Sequence, residues 1–227
     1  MADVERMTDE ERAKLFPIIL SEYNPAWPQW YTEEKERLLG FIGTENVIRV
    51  THIGSTAVTG LIAKPTVDIL LEIAETTDVE KLAASLPEDE YVCLRQQTIP
   101  TLDLVMFLKG YTTAGFAERV YHIHVRYPGD WDEPRFCDYL IAYPETAGAY
   151  AVLKRKLKER FEFDRDGYTN AKGEFIKAVI AERDGKIVSA AWTRIIPRDA
   201  GRQERLPICF RHYIWQQGCR QHRRVPP

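Results

Sequence analysis

The order in which hydrophobic periodicities follow one another is what most narrows the fold of this chain. Between residues 46 and 127, short β-branched and aromatic runs recur as NVIRVTHI, PTVDILLEI, YVCLRQQ, TLDLVMFLKG and ERVYHIHVRY. Runs of this length bounded by Gly, Pro and polar turns predict strands. DVEKLAASLP interrupts them as a helix closed by Pro87, and YTTAGFA joins the last two. From DEPRFCDYLIAYP onward the apolar residues fall at helical spacing, through ETAGAYAVLKRKLKERFEF and then YTNAKGEFIKAVIAERDG, which Gly185 closes. Strands first and helices after predict an α+β fold: a mixed sheet with helices packed on one side and a C-terminal helical layer. Ahead of the sheet, a short helix is followed by SEYNPAWPQWYTEEKERLLGFIG, which predicts a turn at Pro25 and Pro28 and a helix from about Trp30 to Gly43. Trp27 and Trp30 read as core or lid aromatics, with base stacking as the alternative use.

A chain of 227 residues with 44% hydrophobic and 29% charged content is ordinary for one globular domain with an appendage. The expected division is an N-terminal extension at 1–16, a folded domain at 17–184 and a basic tail at 185–227. No run approaches the roughly 20 apolar residues of a membrane span, and MADVERMTDEERAKLF is too polar for a signal peptide, so a cytoplasmic protein without a membrane partner is expected. Cys93, Cys137, Cys209 and Cys219 lack C-x-x-C spacing, which predicts reduced thiols rather than a zinc or redox pair. The tail carries nine Lys or Arg against Asp199 and Glu204. Its mixture of Arg, Pro, Trp, Cys and His has no Lys/Arg run, which favours a poorly ordered extension over a nucleic-acid arm.

The chemistry concentrates in HIGSTAVTGLIAKPTVDILLEI, residues 52–73. A strand ending in Gly54-Ser55 exposes backbone N–H groups at a tight turn that suits phosphate oxygens. Asp68 sits on an apolar strand, where a carboxylate needs a partner such as a divalent cation. Lys64 is either a point charge for phosphate or a lysine that is solvated or paired to Asp68. On a later strand His122 and His124, two residues apart, share one face. With Asp68 they form a two-His, one-carboxylate set suited to a transition metal or Zn²⁺, if the three converge within about 5 Å. Otherwise they are hydrogen-bonded histidines on a half-exposed sheet. Asp103 reads as an edge or surface acid, and KRKLKER as a solvated helix face.

Together, His52, Gly54, Ser55, Lys64, Pro65 and Asp68 resemble the signature of the GrpB family, small bacterial proteins of the nucleotidyltransferase superfamily to which DNA polymerase beta belongs. YHIHVRY resembles the family's His-x-His strand, and RFCDYLIAYPETAGAYAVLKRKL with YTNAKGEFI its C-terminal helices, so the resemblance spans roughly 17 to 182. It implies a nucleotidyltransferase-like fold, with Gly54, Ser55, Thr56 and Lys64 holding a nucleotide and Asp68 as catalytic acid and metal ligand beside His122 and His124. The implied cofactor is a divalent ion (Mg, Mn or Zn), and the implied ligand is a nucleoside triphosphate or another phosphorylated small molecule. One position departs from the superfamily pattern. The second acid belongs at position 70, which is Leu70, so the pair that would hold two ions about 4 Å apart is incomplete. Glu72 shares the face but lies about 6 to 7 Å farther on. The resemblance therefore implies either transfer of a nucleoside monophosphate to an acceptor or a phosphate-ligand-binding protein that has lost turnover. Lys109, Arg126, Lys154 and Lys172 are further cations that an acidic ligand would bring together.

Overall fold

A computed structural model describes residues 7–95 and 103–185. The tail beyond Gly185, with Cys209 and Cys219, lies outside the described residues. In chain order the elements are α1 (Asp9–Leu15), α2 (Trp27–Ile42), β1 (Val47–Ile53), a 3-10 turn (Ser55–Ala57), β2 (Val67–Ile73), α3 (Val79–Ser85), β3 (Tyr91–Arg95), β4 (Val105–Thr112), β5 (Gly115–Arg126), α4 (Asp132–Ala142), α5 (Pro144–Phe161) and α6 (Arg165–Arg183). The five strands form one sheet in the order β1-β2-β5-β4-β3. β2 and β5 run parallel and every other pair is antiparallel, which makes the sheet mixed. α2 begins at Trp27 rather than Trp30, because Pro28 sits in its first turn, where a missing N–H costs nothing.

The β2 run VDILLEI is central, and period-2 alternation divides it between two environments. Val67, Ile69, Leu71 and Ile73 join Tyr121, Ile123, Val125 and Phe107 in the main core, covered by Trp27 and Leu38 of α2 and Leu82 and Ala83 of α3. Trp27 is 1% exposed, so it is a core aromatic, and Trp30 packs at the margin of the same cluster. The same face carries a polar tie: Glu34 of α2, almost fully buried, accepts from Tyr91 Oη at 2.6 Å and from Lys109 Nζ at 2.8 Å.

Asp68, Leu70, His122 and His124 occupy the opposite face. The parallel register aligns Asp68 with His122 and Leu70 with His124. A second core holds α4, α5 and α6 together through Phe136, Leu140, Tyr150, Phe175 and Val179 and takes in Val58 and Leu61 from the segment before β2. The C-terminal helical layer is thereby fixed to the turn after β1, and α4 also packs on β1. Among the described residues, no helix is long and apolar enough to cross a membrane.

Candidate metal and phosphate site

Parallel pairing of β2 with β5 brings Asp68, His122 and His124 to one spot, where one potential ligand atom from each lies within 4.8 Å of the others. The three side chains are half-buried. His124 has one ring nitrogen engaged outside the cluster, and so does His122, whose other nitrogen faces Asp68 within it. His124 Nδ1 meets Asp103 Oδ2 at 2.8 Å, which leaves Nε2 for ligation. His122 Nε2 meets Tyr111 Oη at 2.8 Å, and its Nδ1 faces Asp68 Oδ1 at 3.2 Å. A partner on the far nitrogen that orients the ring is the usual outer arrangement of a metal-binding histidine. Asp103 is therefore not the edge acid that the sequence suggests. It is fully buried, bridges His124 and Arg126 (2.5 Å), and Arg126 reaches on to Glu133 of α4 at 3.0 Å.

Protonation follows from these contacts. Burial opposes the charge of Asp68, but the hydrogen bond from His122 and the positive charges nearby hold its carboxyl below the ordinary value. Burial pushes the His122 imidazole down. Burial opposes the charge of His124 as well, but the hydrogen bond to Asp103 together with the negative charges of Asp103 and Asp68 outweighs that cost and pushes its imidazole up.

The Gly54-Ser55-Thr56 turn serves first to seat Asp68. Gly54 has φ +74°, and a Cβ built there would collide with Asp68 Oδ2, so only glycine brings the turn this close to the carboxylate. Ser55 Oγ accepts from Lys154 Nζ at 3.0 Å. Thr56 Oγ1 donates to the Thr66 carbonyl at 3.2 Å and meets His52 Nε2 at 3.0 Å, pinning the turn to the start of β2. His52 itself stacks on Tyr31 at 4.8 Å, and burial pushes it down to about 4.

Lys64 is half-buried and forms no ion pair among the described residues; its Nζ lies 5.8 Å from the Tyr168 ring centroid. The other candidate cations separate. Lys109 is on the far face with Glu34, Arg126 belongs to Asp103 and Glu133, and Lys154 is buried against Ser55. Lys154 thus departs from the solvated face expected of KRKLKER. Lys172 alone of the four comes to Lys64, with Nζ 4.7 Å from the Tyr168 ring, and Arg165 from the start of α6 joins them. Glu72 is engaged by Arg49 and by the Gly129 N–H (3.2 Å) and is 1% exposed, and Leu70 is fully buried, so neither supplies a second acid.

Tyr111 and Arg165 were missed by sequence reasoning. Tyr111 reaches His122 because the β4–β5 register shifts between Lys109 and Tyr111, at Gly110 with φ +87°. The bulge sends Lys109 to one face and Tyr111 to the other. A glycine inside a strand run was the available signal.

A model of the family described as GrpB protein matches residues 17–182. The chain belongs to the GrpB family. A UPF0157 protein of Pseudomonas aeruginosa is 33% identical over 76% of this chain and 68% of its own length. The glutamate-rich protein GrpB of Alkalihalophilus pseudofirmus is 34% identical over 73% of this chain and 95% of its own. The crystal structure of conserved protein GrpB from Enterococcus faecalis superposes with a TM-score of 0.63 at 29% identity, covering 74% of this chain and 98% of that one. A 27% identical stretch, 69% of this chain, also forms 43% of a dephospho-CoA kinase from Mycolicibacterium paratuberculosis.

Proposed function

We propose that this GrpB-family protein is a metal-dependent nucleotidyltransferase that works with one metal site instead of two. One observation carries the reading: Asp68, His122 and His124 converge within 4.8 Å on adjacent parallel strands, with both histidines oriented from behind. Two imidazoles and a carboxylate suit a transition metal or Zn²⁺ better than Mg²⁺, which prefers oxygen donors. They do not suit a pair of Mg²⁺ ions, because Leu70 stands where the second acid would be. When bound, such an ion polarises a phosphoryl oxygen and offsets its charge.

The chain's own residues supply the remainder. Asp68 stays ionised, and Asp103 and Tyr111 hold the histidine rings in place. Lys64 and its neighbouring cations favour a phosphorylated ligand. In the reaction an acceptor hydroxyl or amine bonds to the α-phosphorus of a nucleoside triphosphate. The bond from that phosphorus to the bridging oxygen breaks, pyrophosphate leaves with the electron pair, and the acceptor's proton passes to solvent. A region like this chain inside a protein named as a kinase is in keeping with phosphoryl chemistry.

A second reading, ligand binding without transfer, is favoured by the burial of Leu70 and the engagement of Glu72. The test measures metal content after loading with Zn²⁺ or Mn²⁺, and pyrophosphate release from nucleoside triphosphates into water or a panel of alcohols and amines. The expected result is one ion per chain, lost in His122→Ala/His124→Ala, and release abolished by Asp68→Asn. Release that survives Asp68→Asn excludes the role given to this residue. Metal and triphosphate binding with no release selects the binding protein.

A further inference from the structure

Arg165, Tyr168 and Lys172 fall on one face of α6 at spacings of three and four residues, and Lys64 approaches the same tyrosine from the entry to β2. Arg165 and Lys64 also line a common crevice with Pro17, Ile18 and Phe116. None of the three cations forms an ion pair among the described residues, and Asp68 is the carboxylate that acts on both Lys64 and Lys172. Three positive charges against one negative charge, in half-buried positions of an acidic chain, leave an excess that solvent screens poorly. The cost is visible in Lys64, which burial and then repulsion from Lys172 and Arg165 push down to about 7, and in Lys172, which burial pushes down to about 8. A second, independent signal comes from the tyrosine whose ring Lys64 and Lys172 both approach. Tyr168 is 1% exposed, and its hydroxyl has no hydrogen-bond partner, a position that polar groups in a finished core avoid.

We infer that Lys64, Arg165, Tyr168 and Lys172 form a subsite for the pyrophosphate portion of a polyphosphate ligand. The inference rests on the nucleotide reading of the neighbouring Asp68 cluster and deepens it, since it names what part of the ligand is held, and where. An excess of two positive charges calls for a group carrying at least two negative charges, and the guanidinium with two ammoniums offers separated donors that two linked phosphates can bridge. A lone carboxylate satisfies neither condition. Arg165 Nη2 also donates to Tyr111 Oη at 2.8 Å, and Tyr111 holds His122, so the subsite touches the Asp68 cluster through one side chain. The phosphate-holding role thereby moves from the Gly54-Ser55 turn, whose groups seat Asp68 and receive Lys154, to the first two turns of α6.

The experiment titrates the full chain, freed of metal with EDTA, with pyrophosphate, inorganic phosphate and acetate by calorimetry at low salt. Pyrophosphate is expected to bind about tenfold more tightly than phosphate, and acetate not at all. Lys172→Met and Arg165→Met are each expected to weaken pyrophosphate by about tenfold, the scale of one lost charged hydrogen bond. Tyr168→Phe removes only the orphan hydroxyl. It is expected to keep the melting temperature and lose affinity about threefold, which covers the case where a charge variant fails to fold. Equal affinity for pyrophosphate and acetate, or binding unchanged in Lys172→Met and Tyr168→Phe, overturns the subsite. His122→Ala/His124→Ala separates the two readings. Pyrophosphate binding retained there while metal is lost supports an anion subsite of its own. Metal binding without any pyrophosphate binding removes the subsite and leaves the metal cluster standing.

Discussion

Lys154 Nζ lies 3.0 Å from Ser55 Oγ, donates also to the Ile62 carbonyl, sits 4.6 Å from the Tyr150 ring centroid and forms no ion pair among the described residues. At 2% exposure its charge is costly, and burial, followed by repulsion from Lys172 and Arg155, pushes it down to about 6. The sign of the resulting pH dependence is fixed by which state holds the proton. In the unfolded chain the lysine keeps its proton up to its ordinary value near 10.5, whereas in the folded chain it loses it above about 6. Between these limits the unfolded state binds more protons, so this residue makes stability rise with pH. Below about 6 both states are protonated and the contribution is flat. Lys154→Met is expected to flatten the rise, measured as urea midpoints from pH 5.5 to 9. Parallel profiles for the parent and Lys154→Met mean that Lys154 does not titrate there. No local pattern exposed this lysine, because KRKLKER looks solvated until α5 is packed against the turn holding Ser55 and Ile62.

Among the elements, β2 and β5 decide the site and α2 decides how firmly its sheet is held. Each strand was legible from its apolar run, and so was the shared face of His122 and His124. Their convergence with Asp68 was not, because it depends on β5 lying parallel beside β2, a non-local pairing that no run announces. Asp103 was misread for the same reason: an acid near the start of a strand looks exposed unless His124 and Arg126 are known to lie beside it. The polar tie between α2 and the sheet gives a prediction at this scale. Lys109→Met leaves the Glu34 carboxylate, 4% exposed, with Tyr91 as its one hydrogen-bond donor among the described residues. A destabilisation near the lower end of about 3–5 kcal/mol is expected, since Lys109 keeps some contact with solvent. Glu34→Met combined with Lys109→Met is expected to recover most of it, read from urea denaturation. The metal content of both variants is expected to match the parent, because the tie is on the sheet face opposite Asp68. Additive losses in the double variant mean that the two groups do not act as a pair.

Over the whole molecule, the candidate site lies where two cores meet: strands of the main sheet supply Asp68, His122 and His124, α6 of the second core supplies Arg165 and Lys172, and Lys154 of α5 ties the Ser55 turn to that core. The α+β order of elements was readable from periodicity alone, whereas the seam between the cores needed the packing of Val58 and Leu61 onto the helices. Both cores lie within residues 17–182, the span that matches the family, and 74% of this chain superposes on 98% of the Enterococcus faecalis GrpB chain. A third, small cluster packs Phe16 on Tyr111 and Val120, so the three described clusters all lie ahead of Gly185. Ending the chain after Gly185 is expected to preserve a single cooperative thermal transition within about 3 °C of the full chain, a change under about 1 kcal/mol for a domain of this size. Ending it after Phe163 removes Tyr168, Phe175 and Val179, all at or below 1% exposure, and is expected to abolish the cooperative transition. Metal binding measured on the Gly185 variant completes the comparison, since the cluster needs β2 and β5 held against an intact helical layer. A large fall in melting temperature after removal of residues 186–227 assigns them to the folded unit.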